Sequence, residues 1–442
     1  RRATSECYMS PVVIGLIGLA GLFLMIFLRV PIGIALAIAG VAGYASLSGI
    51  DTTLNLLGSI PFEIAYNYDL SIIALFVLMG NLAMVSGMSR DLYDMARSLV
   101  GHWPGGLASA TVVGCAGFAA VSGSSLASAV TMGRVALPEM KRYGYDDRLA
   151  TGCVAAGGTL GILIPPSTGF IIYALLTEES IGQLFLAGVL PGLLLTVLFM
   201  ITVLIVTAVR PGAGPRAERM PMIDRLKTVG RSSALIGIVF AVLGGIYFGV
   251  FTPVEAAAVG AFLTVVLTVA RGKMTWQATK FCVLETIKTF SFVYLILIGA
   301  FLFNPFLAVT QIPLKLAAVV DGLEVAPLVI LGIIVVAYII MGTFLEGIAM
   351  LVLTIPIVFP VIKDLGYDPI WFGVLLVVVL EMSLISPPLG LNVFVVKGIS
   401  DGVPMGDIFV GVLPFWAAMF VCAVLLIMFP EIALFLPETM IR

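Results

Sequence analysis

The chain has 442 residues, of which 61% are hydrophobic and only 11% are charged, and its mean hydropathy is +1.17. A soluble domain carries about 25% charged residues, so this composition excludes an ordinary soluble protein. The formal net charge of −2 points to no nucleic-acid partner. The five scattered cysteines form no CxxC pair, so neither a disulfide framework nor a metal knuckle is indicated.

Residues 1–10 are predicted to be an N-terminal extension ahead of the first apolar run. Arg1 and Arg2 precede this run, as in a signal peptide, but it has no clear cleavage site and further spans follow at once. We therefore interpret the run as a membrane helix of the mature protein.

Many apolar runs reach the 18 or more residues that are needed to cross roughly 30 Å of hydrocarbon. Ten full crossings are predicted, at 11–28, 32–50, 70–89, 149–175, 184–209, 232–250, 255–270, 289–309, 370–396 and 408–429. Residues 52–68 and 272–288 are predicted to be amphipathic arms that lie along the membrane interface.

Two further apolar stretches, 107–138 and 326–360, are interrupted midway by short runs of small and polar residues. Non-helical backbone at mid-depth survives only when it is buried in protein or lines a cavity. Each stretch therefore predicts a re-entrant helical hairpin that turns inside the membrane and leaves on the side it entered. The predicted tips are Ser122-Gly123-Ser124-Ser125 and Gly342-Thr343-Phe344-Leu345-Glu346.

Several motifs occur twice and indicate one unit that is repeated. With a shift of 222 residues, Gly144-Tyr145-Asp146 recurs as Gly366-Tyr367-Asp368, Pro165-Pro166 as Pro387-Pro388, and Pro31 as Pro253. Both double prolines interrupt apolar stretches. Paired interruptions of this kind are typical of transporters whose binding site lies where the two repeats meet.

Positive charge indicates how the two repeats are oriented. Segment 210–231 carries six lysines and arginines against two acids, so it is predicted to be cytoplasmic. Counting back across the crossings places 90–106 and 134–148, which are also basic, on the same side. Their counterparts within 308–370 hold only two basic residues. We infer inverted repeats of five crossings each, with both termini periplasmic. The alternative is that the charges of the loops drifted independently and carry no information about orientation.

The predicted fold class is an all-α polytopic membrane protein with two inverted-topology repeats, each containing a hairpin and a proline-broken helix. Repeat 1 spans 11–209, with scaffold helices and arm at 11–90 and hairpin and broken helix at 107–180. Repeat 2 spans 232–430, with scaffold helices and arm at 232–309 and hairpin and broken helix at 326–400. The basic linker 210–231 joins the repeats, and 431–442 form a C-terminal tail.

The double prolines predict helix breaks, because each proline removes an amide donor and its ring clashes with a carbonyl one turn earlier. Carbonyl groups left without partners are costly in hydrocarbon, and a sodium ion can satisfy several of them together with nearby hydroxyls. A kink that only helps packing is the alternative. The candidate carbonyls lie near Gly161, Ile164 and Pro165 and near Ser383, Ser386 and Pro387, and the candidate hydroxyls are those of Ser122, Ser124, Ser125 and Thr343.

Hairpin tips and broken helices also turn helix N-termini toward one point. An N-terminus presents a partial positive charge and free amide donors, which favours an organic anion. Capping of the restarted helices is the alternative role for the nearby polar side chains. The candidate substrate contacts are Ser125, Ser167, Thr168 and Asn392.

Ionisable and amide side chains inside the apolar stretches are costly and are usually placed for a reason. For Glu346 and Glu381, three roles compete: sodium ligand, proton carrier, or structural partner of a hairpin amide or buried base. The structural role is favoured for both. Asn81 and Asn304 are mid-span amides that are expected to form hydrogen bonds between helices.

Enzyme motifs are missing from the sequence. It contains no HExxH, no GxSxG and no GK[ST] phosphate loop, so ATP-driven transport from this chain is not indicated. An intramembrane serine hydrolase based on Ser122 is an alternative, but the single histidine, His102, lies in a polar loop and offers no base within the membrane.

The longest motifs resemble a known family over nearly the whole chain after residue 9. They are Ser122-Gly123-Ser124-Ser125, Arg142-Tyr143-Gly144-Tyr145-Asp146, Gly161-Ile162-Leu163-Ile164-Pro165-Pro166-Ser167, Phe185-Leu186-Ala187-Gly188, Gly342-Thr343-Phe344-Leu345-Glu346 and the run EMSLISPPLGLN at 381–392. These motifs resemble the large membrane (M) subunit of tripartite ATP-independent periplasmic (TRAP) transporters, which belong to the ion-transporter superfamily.

The resemblance implies an elevator-type, sodium-coupled importer in the bacterial inner membrane. It also implies two partners, a small four-helix membrane (Q) subunit and a periplasmic substrate-binding protein (P subunit). The implied substrate is a small organic anion: a C4-dicarboxylate, a sialic acid, another sugar acid or a sulfonate. A proton- or sodium-coupled carrier that works without a binding protein is the alternative.

The resemblance also implies two sodium sites. Carried over onto this sequence, the first consists of Ser122, Ser124, Gly161, Ile164 and Pro165, and the second of Gly342, Thr343, Ser383, Ser386 and Pro387.

Overall fold

The structure is a computed structural model that describes residues 9–322 and 325–441, so most of the predicted extension, 1–8, and residue 442 lie outside it. All regular secondary structure in these ranges is helical, and no strand forms in them. In chain order the helices are α1 (Pro11–Phe27), α2 (Ile32–Ser48), α3 (Ile50–Tyr66), α4 (Ser71–Val85), α5 (Met88–Val100), α6 (Gly106–Ser122), α7 (Ser125–Arg142), α8 (Asp147–Leu163), α9 (Thr168–Thr177), α10 (Ile181–Val209), α11 (Met222–Tyr247), α12 (Pro253–Ala270), α13 (Trp276–Thr310), α14 (Ile312–Asp321), α15 (Pro327–Gly342), α16 (Gly347–Asp364), α17 (Pro369–Leu384), α18 (Leu391–Ile399), α19 (Met405–Met428) and α20 (Glu431–Thr439).

The repeated Gly-Tyr-Asp motif separates two helices in each half of the chain. Gly144 has a φ of +75° and Gly366 a φ of +78°, a left-handed conformation that suits glycine after a helix C-terminus. Asp146 then caps α8 by accepting a hydrogen bond from a first-turn amide at 2.7 Å, and Asp368 caps α17 in the same way at 2.9 Å. The motif therefore ends one helix and begins the next.

Helix positions in the two halves correspond closely. The helices α7 and α16 begin at Ser125 and Gly347, and α8 and α17 begin at Asp147 and Pro369, so both pairs are separated by the 222 residues of the sequence repeat. The short helices α9 and α18 follow the two double prolines, and in each double proline the bond between the prolines is cis.

The arm predicted at 272–288 is not a separate element, because it continues into the next crossing as the 35-residue helix α13. In the first half, the Asn67 side chain accepts a hydrogen bond from the Asp69 amide at 2.9 Å and separates α3 from α4. This local turn competes with helix formation. The counterparts of the two residues are Thr289 and Ser291, which lie within α13.

Eight helical segments of the described chain are long and apolar enough to cross a membrane, against ten predicted crossings. Seven of them coincide with predicted crossings, and the eighth is α16, predicted to be one arm of a hairpin. The remaining three predicted crossings contain α1, α2 and α17, which are apolar but have 17, 17 and 16 residues. The chain is an all-helical, multi-pass membrane protein.

The helices form two packed groups. In one, α2 and α13 lie side by side with α1, α4 and α12 around them. A Cβ atom at Gly33 or Gly40 of α2 would overlap the backbone of α13, so these glycines permit a close crossing. In the other group, α8 contacts α6, α7, α17 and α19, and α17 contacts α15, α16 and α19.

Helices α8 and α17 run in opposite directions. Arg148, at the start of α8, forms a 2.7 Å ion pair with Asp407 at the start of α19. Trp371, at the start of α17, donates its indole hydrogen bond to the Leu426 carbonyl near the end of α19, at 2.8 Å. The two helices therefore begin at opposite ends of the same neighbour.

The predicted basic linker, 210–231, is partly helical, because α11 begins within it. Its first part is held against the base of the first hairpin. The Gly105 amide donates to the Gly214 carbonyl at 2.9 Å, and the Tyr145 hydroxyl donates to the Pro215 carbonyl at 2.8 Å. Burial raises the pKa of Tyr145 to about 12, so the hydroxyl stays protonated at neutral pH.

Cysteine labelling tests whether the two repeats have opposite orientations in the membrane. Arg142, at the end of α7, lies close to the linker and the start of α8, whereas Lys363, at the end of α16, lies 3.8 Å from Glu179, close to the start of α17. A membrane-impermeant maleimide is expected to label Lys363→Cys in intact cells and Arg142→Cys only after the membrane is opened. Lys141→Cys is the control and should behave as Arg142→Cys. Labelling of Arg142→Cys and Lys363→Cys from the same face would contradict the arrangement.

Candidate functional site

The first hairpin tip lies against the break between α8 and α9. Thr168 donates its hydroxyl hydrogen bond to the Gly123 carbonyl at 3.0 Å. A Cβ atom at Gly161 would overlap the Ser124 carbonyl oxygen, so only glycine permits this approach. The break itself contains Ile164 and the double proline. The structure thus brings together the two chain segments that contribute to the predicted first sodium site.

Two hydroxyls of this tip already have partners within the protein. The Ser122 and Ser128 hydroxyls form a hydrogen bond with each other at 2.8 Å, and both side chains are buried. The Ser124 hydroxyl accepts from the Ala127 amide and caps α7. A hydroxyl oxygen has two lone pairs, so both oxygens retain capacity to contact a cation.

The second hairpin tip lies against the end of α17. A Cβ atom at Gly342 would overlap the Ser383 hydroxyl oxygen. Thr343, Ser386 and Pro387 border one cavity of about 480 Å³, together with Trp416. The Trp416 indole donates to the Ser386 hydroxyl at 2.9 Å. All five residues predicted for the second sodium site therefore lie where this tip meets the second break.

A separate cavity of about 150 Å³ lies between the two tips, and we refer to it as the central cavity. Ser122, Ser124 and Ser125 border it from the first tip, and Glu346 and Gly347 from the second. Its remaining lining residues are Val77, Gly80, Asn81, Met84, Phe118, Leu126, Ala127, Ile162, Thr168, Thr289, Val293, Ile348, Leu384 and Leu391.

Four helices begin at the central cavity. Their first residues, Ser125 of α7, Thr168 of α9, Gly347 of α16 and Leu391 of α18, all border it. Each N-terminus carries amide groups without an intrahelical partner and about half a unit of positive charge. These partial charges favour a negatively charged group, and the Glu346 carboxylate, which borders the cavity and caps α16, offsets part of them.

Of the four predicted substrate contacts, the structure places Ser125 and Thr168 at the central cavity but not Ser167 or Asn392. Both of the latter side chains are fully buried. The Ser167 hydroxyl accepts from the Phe170 amide and caps α9, which is the alternative role considered above. The Asn392 amide group donates to the Ala155 carbonyl of α8 at 3.3 Å.

The two acids occupy different positions. Glu346 borders the central cavity and caps α16 by accepting from the Ala349 amide at 3.2 Å. Glu381 is buried in α17 and accepts a hydrogen bond from the Ser125 hydroxyl at 2.7 Å, while its second carboxyl oxygen has no protein partner among the described residues. Glu381 therefore joins the first tip to the second half of the chain.

Sequence reasoning missed part of the cavity lining. Asn81 donates to the Thr286 hydroxyl of α13 at 3.2 Å, the interhelical role expected of it, and it also borders the central cavity. Gly347 and Leu391 contribute only backbone polarity. The available sequence signal was their position, since Gly347 directly follows a capping residue and Leu391 follows a helix break. Asn304 has a buried carbonyl oxygen without a hydrogen bond within the described chain.

These features define a class of protein: a multi-pass membrane protein with a cavity between two hairpins and two broken helices. Residues 19–432 match the family described as the tripartite ATP-independent periplasmic transporter, DctM component. The chain belongs to this family and is a large permease component of a TRAP transporter, which confirms the resemblance derived from the sequence.

Two relatives support this assignment, and one solved structure shares the fold. The chain is 38% identical over 379 residues to the C4-dicarboxylate TRAP transporter large permease protein DctM of Pseudomonas aeruginosa, covering 85% of this chain and 88% of that protein. It is 33% identical over 419 residues to the sialic acid TRAP transporter large permease protein SiaM of Vibrio cholerae, covering 94% and 96%. The YdaH transporter of Alcanivorax borkumensis has a similar fold, with a TM-score of 0.64, 17% identity, and coverage of 86% of this chain and 89% of that one.

A matched pair of glycine substitutions tests the contact at the second tip. Gly342→Ala is expected to push Ser383 away and to lower the thermal unfolding midpoint, because overpacking costs about 1–3 kcal/mol. Gly332→Ala in the same helix is the control, since no atom lies within 4 Å of the added Cβ. It should be neutral or stabilising, as alanine is the better helix former. Equal midpoints for the two variants in detergent would contradict the contact.

Proposed function

We propose that this permease is a sodium-coupled importer of a small organic anion across the bacterial inner membrane, and that it works by an elevator mechanism. It would receive its substrate from a periplasmic binding protein and function with a small four-helix membrane subunit. The observation that carries the proposal is the convergence of four helix N-termini on the central cavity.

An anion gains most from this geometry. The amides at the starts of α7, α9, α16 and α18 are fixed by the fold, so they need no reorganisation to receive a carboxylate or sulfonate. Two relatives are named for C4-dicarboxylates and for sialic acid, both of which carry carboxylates. Glu346 at the same cavity suits a substrate that also carries hydroxyl or other donor groups.

The carbonyl and hydroxyl oxygens at the two hairpin tips favour sodium as the coupling ion. At each tip the protein presents carbonyl and hydroxyl oxygens beside a broken helix, without a histidine or cysteine, and hard cations prefer such oxygen ligands. Bound sodium would offset the charge of the substrate. Each net positive charge that moves inward gains about 2.3 kcal/mol per 100 mV of membrane potential.

Inverted repeats provide the moving part of the proposed mechanism. The common shift of helix starts and the opposite directions of α8 and α17 support two inverted copies. The group around α8 and α17, which carries both tips, would move as a transport domain against the group around α2 and α13. A cavity at the junction of the repeats would then open alternately to each side.

A serine hydrolase receives less support from the geometry. A serine nucleophile needs a base within hydrogen-bonding reach, and the partner of the Ser122 hydroxyl is another hydroxyl, that of Ser128. His102 lies in the loop between α5 and α6, beside Trp103. A carrier that works without a binding protein remains the main alternative to the proposal.

Sodium binding can be tested without knowledge of the substrate. Sodium chloride, but not choline chloride, is expected to raise the unfolding midpoint of the purified chain, because a ligand stabilises the state that binds it. Ser122→Ala and Thr343→Ala should each raise the half-saturating sodium concentration about tenfold, the loss of about 1.4 kcal/mol. Ser128→Ala breaks the same Ser122–Ser128 hydrogen bond but removes no proposed sodium ligand. It should therefore leave sodium binding nearly unchanged. An unaltered sodium response in a Ser122→Ala/Thr343→Ala double variant would refute the site assignment.

The role of the partners can be tested by transport. In proteoliposomes with the small membrane subunit, an inward sodium gradient is expected to drive uptake of labelled succinate or sialic acid only when a cognate binding protein is present. The reason is that the proposal assigns capture of a dilute substrate to the binding protein, which then delivers it to the central cavity. Equal uptake without the binding protein would favour the stand-alone carrier.

A further inference from the structure

A second polar cavity, of about 380 Å³, lies between α5 and α7 at the end of the molecule that carries the basic linker. It shares no lining residue with the central cavity. Four arginines border it against two acids, and we call it the arginine cavity. The charged lining residues are Arg90, Asp94, Arg97, Arg134, Glu139 and Arg142.

Three of the four guanidinium groups are available to a ligand. Arg97 forms an ion pair with the Glu139 carboxylate and donates to the Tyr143 hydroxyl at 2.9 Å. Arg90, Arg134 and Arg142 form no ion pair with any residue that the structure describes. The cavity therefore retains positive charge after its internal pair is counted.

We propose that the arginine cavity binds a phosphate group, carried either by the headgroup of an anionic phospholipid or by a soluble phosphate. Planar guanidinium groups donate paired hydrogen bonds that match phosphate oxygens. Basic pockets beside membrane helices on the cytoplasmic side favour anionic headgroups. This site is independent of the transported substrate and of the sodium sites.

Helix α5 contacts both packed groups. It packs against α6 of the first hairpin, while Ser232 of α11 donates to the Asp91 carbonyl at 2.9 Å and Arg271 pairs with the Asp91 carboxylate at 2.5 Å. A phosphate held by Arg90 of α5 and Arg134 of α7 would add to the Arg97–Glu139 ion pair that already joins these two helices.

The test compares two sources of phosphate on the purified 442-residue chain. One arm measures the unfolding midpoint in neutral detergent with sodium phosphate against sodium chloride at equal sodium concentration and ionic strength. The other measures lipid retention by native mass spectrometry from nanodiscs of phosphatidylglycerol or of phosphatidylcholine. The variant is the double substitution Arg134→Gln/Arg142→Gln. The matched control is Lys141→Gln, which removes a charge from the same turn of α7 but does not border the cavity.

Saturable binding in either arm supports the proposal, and the arm that responds identifies the source. The double arginine variant should weaken binding about tenfold or more, since hydrogen bonds to charged groups are worth that factor. Lys141→Gln should bind as the unaltered chain does. Absence of a response in both arms, or equal binding by the double arginine variant and Lys141→Gln, would overturn the proposal.

Discussion

A backbone amide or carbonyl in hydrocarbon has no water to bond, so its partner must come from the protein or from a ligand. Most of this chain meets the constraint with continuous helices. The exceptions are the two hairpin tips and the two double-proline breaks, and the structure places each tip against a break. The Thr168 hydroxyl, for example, satisfies the Gly123 carbonyl. Side chains cap three of the four helix N-termini at the central cavity, those of α7, α9 and α16.

The same constraint explains why glycine occurs at both contacts. Gly161 of the first broken helix approaches the backbone of Ser124, and Gly342 of the second tip approaches Ser383 of the second broken helix. Gly161 and Ser383 are counterparts in the sequence repeat, separated by 222 residues. Each contact thus contains one glycine, on the broken helix in one half and on the hairpin in the other. The two halves achieve equivalent packing with different residues, and this permits their sites to differ.

Much of the architecture was predictable because it rests on local signals. Polar interruptions at 122–125 and 342–346 mark the tips, and the paired prolines mark the breaks. The continuous helix α13 was not predicted, because the arm was placed by analogy with the first half, where an Asx turn at Asn67 separates α3 from α4. Helix α16, which is long enough to cross a membrane, shows that length alone does not separate a hairpin arm from a crossing.

The site was predictable in outline but not in its inner lining. Hydroxyls at the tips were identifiable, since they stand out within apolar sequence. Ser167 and Asn392 were equally conspicuous, yet their side chains point into the protein as a cap and as a tie to α8. Orientation around a helix end depends on tertiary packing, which a single sequence does not specify. Gly347 and Leu391 carry no polar side chain, so only the structure reveals that their amides contribute.

The proposed function requires that helix N-termini from both halves receive the anion in the central cavity while sodium binds beside each tip. An experimental density map of the permease, with sodium and a transported anion bound, tests this arrangement most directly. Density for the anion is expected among the first turns of α7, α9, α16 and α18. Density for the anion at any other place in the chain would rule the proposed arrangement out.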